Sequence, residues 1–279
     1  MAMALDRAWL LGAARAEREA MGRTIQYTEP AYWDQASGAE GWRVRDVVAH
    51  LAAGDVAAAA AVGEEAQAEI EAYFKSVGPG ASPSVDGFNA FSVERRSSLP
   101  VLDVIREWGR AADLLLARCA QVPDTEWSTR RVYWVAGQMR IPYLLQSRVM
   151  EWWLHGEDVR QGAELPTRRE HNPIFCVNDL AVRTIPYALS LAGLSYPGKV
   201  VRVTLRGQGG GDWRHGLAPR DVPAEGAAPD VVIDGEGYWF AKVAGRRVPA
   251  SECLADGRLI LAGDLALGET ILEHVRAFA

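Results

Sequence analysis

The stretch Arg148-Val-Met-Glu-Trp-Trp-Leu-His-Gly-Glu-Asp-Val-Arg160 constrains this chain more than any other. Its residues read as one helix, and at 3.6 residues per turn Glu151 and His155 stack on the same face. Trp152, Trp153, Leu154 and Val159 make the rest of the segment apolar, so part of it is buried. A buried ionisable group needs a partner or must stay neutral at a cost in free energy. One candidate partner is a divalent cation, with His50 of an earlier helix as a further ligand. Two imidazoles and one carboxylate would leave a fourth position open, the pattern of catalytic zinc sites. Spacing alone leaves the alternatives standing: a solvated Glu-x-x-x-His helix face, and a hydrogen-bonded core histidine.

His50 lies in Val44-Arg-Asp-Val-Val-Ala-His-Leu-Ala-Ala-Gly-Asp-Val56, a helix predicted to continue through the alanines that follow. Val44, Val47, Val48 and Leu51 form its apolar stripe, His50 sits at the stripe's edge, and Gly54 leaves room beside the imidazole. Helical spacing also predicts helices over 5–21 and 99–119, the latter stopping before Pro123. With a helix over about 139–161, whose Pro142 falls harmlessly in the first turn, these make an antiparallel four-helix bundle. Gly78 to Gly87 reads as a mobile connection, and Trp127 to Gly137 as irregular or weakly extended.

Composition shifts at Gly162 to Pro173, which carries two prolines and the charges Arg168-Arg-Glu170. The division predicted is a first domain over 1–163, a linker over 164–173 and a second domain over 174–279. There Ile174 to Leu191 reads as a helix bent or ended by Pro186. Val200 to Leu205, Val231 to Asp234 and Arg258 to Leu261 read as strands, Tyr238 to Val243 as strand or short helix, and Gly263 to Phe278 as a closing helix. The fold class expected is α+β in two domains. For 279 residues two domains is also the natural prior.

The net charge of −6 argues against an electrostatic hold on nucleic acid or an anionic membrane. Asp6 and the mixed charges behind it leave no basic n-region and apolar h-region of a signal peptide, and the longest bland run, Val56 to Val62, is expected to be far too short to cross a bilayer. Three scattered cysteines make neither a disulfide framework nor a thiolate zinc site. The expectation is a reduced, cytoplasmic protein, monomer or homodimer.

Two motifs carry a family resemblance. Gly41-Trp-Arg-Val-Arg-Asp-Val-Val-Ala-His-Leu-Ala52 resembles the second-helix signature of the DinB-like, mycothiol-dependent maleylpyruvate isomerase family. Met150-Glu-Trp-Trp-Leu-His-Gly-Glu-Asp158 resembles its second signature, Glu-x-x-x-His-Gly-x-Asp. The resemblance spans nearly the whole chain. It implies a DinB-like four-helix bundle followed by a smaller, sterol-carrier-like α+β domain. It also implies a divalent metal, zinc or else nickel, held by His50, Glu151 and His155, with mycothiol as co-substrate. Tyr133-Trp-x-x-Gly-x-Met139 and Ser147-Arg148 look closer to an uncharacterised branch of the family than to its isomerase. One departure is Arg43 at the helix-opening position, where relatives carry a small hydroxyl residue that caps the helix.

Around that ligand set, Asp158 is placed to orient the His155 imidazole. Arg148, one turn before Glu151, is placed to pair with that carboxylate or to bind an acid group of the substrate. Trp134 and Trp153 are the candidates for lining the cofactor pocket. Relatives use an arginine of the second domain near the substrate; Arg246 is the first candidate here, with Arg247, Arg214 and Arg258 competing. His171, His215 and His274 read as surface or turn residues. Gly207 to Gly211 lacks the Gly-x-Gly-x-x-Gly spacing and a following helix, so it is no phosphate loop.

The activity expected is a metal-dependent S-transferase that activates a low-molecular-weight thiol to attack a small electrophile. The alternatives are a thiol-dependent cis–trans isomerase of maleylpyruvate type and a non-catalytic, metal-containing small-molecule binder.

Overall fold

A computed structural model describes residues 6–78, 82–134, 137–218, 223–224 and 226–277. It separates into two compact units, one ending at Thr167 and the other beginning at Arg168. Its mixture of helices and sheets is the expected α+β class. Parts of four expected segments lie outside the described residues: Leu5, residues 79–81, residues 135–136 and Phe278.

The N-terminal unit is built on four long helices: α1 (Arg7–Tyr27), α2 (Val44–Val62), α5 (Val101–Gln121) and α7 (Ile141–Gly162). They close a ring in which α1 packs on α7, α7 on α2, α2 on α5 and α5 on α1, a four-helix bundle. The alanines of α2 let its neighbours approach closely, and Ala52, Ala53, Ala57, Ala58 and Ala59 are all buried. Pro142 takes the first turn of α7, whose start is later than expected because Met139 belongs to a hairpin. That hairpin, β1 (Arg131–Trp134) paired antiparallel with β2 (Gly137–Arg140), takes up much of the stretch expected to be irregular or weakly extended.

Three short helices complete this unit, α3 (Ala68–Ser76), α4 (Val85–Glu94) and α6 (Asp124–Trp127). α4 begins inside the stretch that was expected to be a mobile connection. A buried cluster of Ala57, Ile70, Tyr73 and Phe88, with Trp134 against it, holds α3 and α4 on α2. Arg96 ties the same region to α5: its guanidinium bonds Glu69 and Glu107 at 2.7 Å each and the Ser92 carbonyl at 3.0 Å.

Arg43 does open α2, and its backbone N–H donates to the Asp46 carboxylate at 3.0 Å. Its guanidinium grips the same carboxylate through Nε at 2.9 Å and Nη2 at 3.0 Å. Asp46 thus supplies the carboxylate half of a capping box, accepting from the N–H of the residue that opens the helix.

The C-terminal unit sets a four-stranded sheet against helices. Its strands are β3 (Tyr196–Arg206), β4 (Gly211–Leu217), β5 (Val231–Glu236) and β6 (Leu259–Gly263), in the order β4-β3-β5-β6. β3 and β5 run parallel, and the other two pairings are antiparallel. α8 (His171–Leu191) packs on β4 and on α9 (Gly237–Ala244), while α11 (Leu265–His274) covers β5 and β6; α10 (Ala250–Ala255) precedes β6.

One expectation needs correction here: His215 lies within β4, paired with Val201, and not in a turn. Tyr238 to Val243 takes the helical one of its two expected forms. α8 runs to Leu191 as expected, and Pro186 inside it does not end it, because Val182, Ile185, Ala188 and Leu189 bury its last turns against the unit. α8 is long and apolar enough to cross a membrane, yet 67% of its apolar window is buried within this fold.

Cys119, Cys176 and Cys253 are buried and form no disulfide among the described residues, and burial pushes the Cys119 thiol up to about 12, Arg130 opposing. A colorimetric thiol reagent at mildly alkaline pH should therefore find no reactive cysteine in the native protein and all three after denaturation. At the start of α2, Asp46→Ala should lower stability by about 1–2 kcal/mol in urea unfolding, the range for a lost helix cap.

Candidate metal centre

The chemistry gathers where α2 meets α7. His50 Nε2 lies 3.1 Å from Glu151 Oε2, and His155 Nε2 lies 3.2 Å from the same oxygen. One carboxylate oxygen thus faces two imidazoles, whose ring centroids are 4.7 Å apart. The ligand atoms of all three residues lie within 4.8 Å of one another, and all three residues are buried. Helical period brings Glu151 and His155 together; packing of α2 on α7 adds His50 from 101 residues away.

The pair that the sequence left unpartnered is thus partnered, at least by hydrogen bonds, and the set fits a metal as well. Ligands about 2.0–2.1 Å from a tetrahedral ion stand about 3.3 Å apart, close to the two short separations here. His155 is held in the tautomer a metal requires. Its Nδ1 lies 2.9 Å from Asp158 Oδ2, so the Nδ1 proton is engaged by a carboxylate and Nε2 is turned toward Glu151.

Electrostatics divide the three residues. Burial raises the Glu151 carboxyl, but hydrogen bonds from His155 and His50 and the Arg148 charge outweigh it and hold the group well below the usual range. Burial pulls the His50 imidazole down, with the His50–Glu151 hydrogen bond opposing. It acts the same way on His155, but there Asp158 and Glu151 win and the imidazole is raised. The cluster therefore presents an anionic carboxylate, a neutral imidazole and an imidazole inclined to hold a proton.

Arg148 does not do what its spacing suggests. Its Nε binds Asp55 Oδ1 at 2.7 Å, while Nη1 stays 4.0 Å from Glu151 Oε1. Asp55 also accepts from Trp152 Nε1 at 2.8 Å. Gly54 makes room for this guanidinium and not for the imidazole: a Cβ there would stand 2.8 Å from Arg148 Nη2. Trp134 lies beside it, 5.9 Å from the guanidinium carbon to the ring centroid.

Trp153 is wholly buried in the bundle. The ring beside the cluster is Trp42, whose centroid lies 5.1 Å from that of His50 and 6.0 Å from that of His155. Trp42 is half-buried and stands on the loop before α2. That loop docks on the end of α7, where the Gly38 N–H donates to the Asp158 carbonyl at 2.9 Å. Two glycines allow the approach: a Cβ on Gly38 would stand 3.0 Å from Asp158 Cα, and one on Gly162 only 2.6 Å from the Ala36 carbonyl. The sequence signal for Trp42 was its place beside Gly41, just before the His50 helix.

In the C-terminal unit, Arg246 follows α9 with a φ of +61°, a left-handed backbone rare for a non-glycine residue. It lines a cavity of about 640 Å³ together with Arg247, Pro249, Leu254, Glu269 and Glu273. No carboxylate among the described residues forms an ion pair with it, whereas Arg258 binds Glu252 and Asp256 and stacks on Trp239. Arg247 donates to the Gly245 carbonyl, and Arg214 is exposed on β4. His171 and His274 belong to the C-terminal unit, on α8 and α11, and His171 Nδ1 accepts from the Gly209 N–H at 3.2 Å.

Comparison with known proteins agrees with this picture. An uncharacterized protein of Mycobacterium tuberculosis, found in strains CDC 1551 / Oshkosh and ATCC 25618 / H37Rv, is 26% identical over 220 residues, 77% of this chain and 80% of the relative. The crystal structure of a mycothiol-dependent maleylpyruvate isomerase superimposes with a TM-score of 0.58 at 19% identity, covering 87% of this chain and 90% of that one. A histidine-to-alanine mutant of such an isomerase gives 0.60 at 17% identity, covering 92% and 93%. At these identities the likeness speaks to the fold. The family model described as the mycothiol maleylpyruvate isomerase N-terminal domain matches residues 14–160, with the whole His50, Glu151 and His155 set inside the match, and the chain belongs to that family.

Proposed function

We propose that this protein is a metal-dependent enzyme that uses mycothiol, or a similar small thiol, to attack a small electrophile, leaving the sulfur attached as a thioether. The observation that carries this reading is the buried set of two imidazoles around one carboxylate oxygen, on the module that names the family. His50 Nε2, His155 Nε2 and Glu151 would hold the ion, zinc by preference and nickel as the second choice. Bound there, a divalent cation would keep a thiol deprotonated at neutral pH, where a free thiol with a pKa near 8.5 is mostly protonated and a poor nucleophile.

The chain's own groups do the rest. Glu151 contributes one negative charge, which moderates the cation without cancelling it. Asp158 takes the Nδ1 proton of His155 in a hydrogen bond and so fixes the ring. Trp42 covers both imidazoles with an apolar face and limits water at the cluster. In the C-terminal unit, read here as the sterol-carrier-like module, Arg246 is the candidate for an acidic group of the substrate, since it lines a cavity and forms no ion pair with a carboxylate among the described residues.

A second reading, a cis–trans isomerase of maleylpyruvate type, is favoured by the names of the structural neighbours. The two differ in whether the sulfur stays or leaves after bond rotation. Incubation of the purified protein with mycothiol and an activated alkyl halide, followed by mass spectrometry, separates them. An accumulating thioether adduct is expected, lost at least 100-fold in His50→Ala. Thiol recovered unchanged beside an isomerised diacid would favour the second reading.

Elemental analysis should find close to one zinc or nickel per chain, absent from Glu151→Ala and His155→Ala. Asp158→Asn should keep the metal but weaken its affinity by about 10–100-fold, as loss of a ligand's hydrogen-bond partner does. A metal must displace a proton from His155, whose imidazole is raised above its ordinary value. Affinity should therefore climb between about pH 6 and about pH 8, through and above the ordinary imidazole range. A flat profile in a chelator competition would contradict the assignment of His155.

A further inference from the structure

Arg148 and Glu151 stand three residues apart on α7, the spacing at which arginine and glutamate readily pair on one helix face. Here they do not make a close pair. The guanidinium turns toward α2, bonds Asp55 at 2.7 Å, and leaves Nη1 at 4.0 Å from the Glu151 carboxylate. Asp55 is itself fixed by the Trp152 indole at 2.8 Å, and Gly54 leaves the space in which the guanidinium lies. Among the described residues Arg148 Nη2 has no hydrogen-bond partner. Arg148 and Asp55 are both buried, so their charges act at short range with little screening.

Resting on the reading of His50, Glu151 and His155 as a metal site, we infer that Asp55 is a positioning residue that holds Arg148 off Glu151. Drawn away, the guanidinium adds positive charge near the carboxylate without occupying it, and Oε2 stays turned toward His50 and His155. Without the Asp55 charge, Arg148 would close the remaining gap along its own helix and compete with the cation for the same carboxylate. The identity of Gly54 follows from the same arrangement, since any side chain there would expel the guanidinium from its seat.

The test is zinc affinity of the full chain by competition with a chromophoric chelator, with circular dichroism to check the fold. Asp55→Asn keeps an acceptor for the Trp152 indole and should bind zinc at least tenfold more weakly than the wild type. Asp55→Asn/Arg148→Met removes the competing cation and should return to within threefold of the wild type. A purely structural role for Asp55 predicts the opposite order, with the double variant no better than the single. Should Asp55→Asn not fold, Gly54→Ala displaces the guanidinium by sterics alone; it should weaken zinc binding several-fold, and Gly54→Ala/Arg148→Met should recover it. A folded Asp55→Asn that binds as the wild type does, or a double variant that recovers nothing, overturns the inference while leaving the metal site standing. A wild type that takes up no metal at these three residues overturns the site and the inference together.

Discussion

Glu151 is a carboxylate with almost no water to solvate it, and the polar construction of the helical bundle follows from that. An unpaired buried charge is costly enough that proteins neutralise or pair it. Here two imidazoles on two helices do so at 3.1 and 3.2 Å. One of these, on α2, makes the interaction a bridge between helices, beside the bonds that Asp55 of α2 makes with Arg148 and Trp152 of α7. Each imidazole then needs its own orientation. His155 obtains it from Asp158, and Asp158 in turn sits where the Gly38 N–H docks the preceding loop. That loop brings Trp42 against the cluster. Glu151 is thereby linked through His155 and Asp158 to the loop before α2, and through His50 to α2 itself.

How much of this the sequence disclosed depends on how each residue reaches the site. Glu151 and His155 are legible because one helical turn joins them and the flanking tryptophans mark the segment as buried. His50 is visible as a histidine beside an apolar stripe, but its partnership requires packing across 101 residues, and only a family motif points to it. Asp55 and Trp42 escaped for physical reasons. Asp55 follows Gly54 near the middle of a helix rich in alanine, where nothing distinguishes a buried aspartate from a solvated one. Trp42 stands on a loop, and a loop has no periodicity to say which way its side chains face. Trp153 lies between two candidate ligands in sequence, but at i+2 from Glu151 it stands on another face of the helix.

The elements show the same division. The four long helices span five or more turns, enough for an apolar stripe to repeat. α3 and α4 are two or three turns each, and the glycine and proline stretch before α4 hid its start. In the C-terminal unit, strands β3 and β5 carried continuous β-branched runs because they are the central, parallel pair. β4 did not, since an edge strand bearing Asp212, Arg214 and His215 resembles a turn until its partner is known. Pro186 signalled a helix end that tertiary burial overrode.

The charges around Glu151 also bear on how a cation would fit there. Glu151, Asp55 and Asp158 are all buried, and the Arg148 guanidinium bonds Asp55 at 2.7 Å while standing 4.0 Å from Glu151. Against the pull of burial, the carboxylates of Asp158 and Glu151 hold the His155 imidazole above its ordinary range. A divalent cation in place of a proton there would bring more positive charge beside Glu151 and would meet both imidazole nitrogens at once. The Asp55–Arg148 pair belongs to the same arrangement: held by Asp55, the guanidinium would lend its charge to the region while leaving the carboxylate oxygen to an ion.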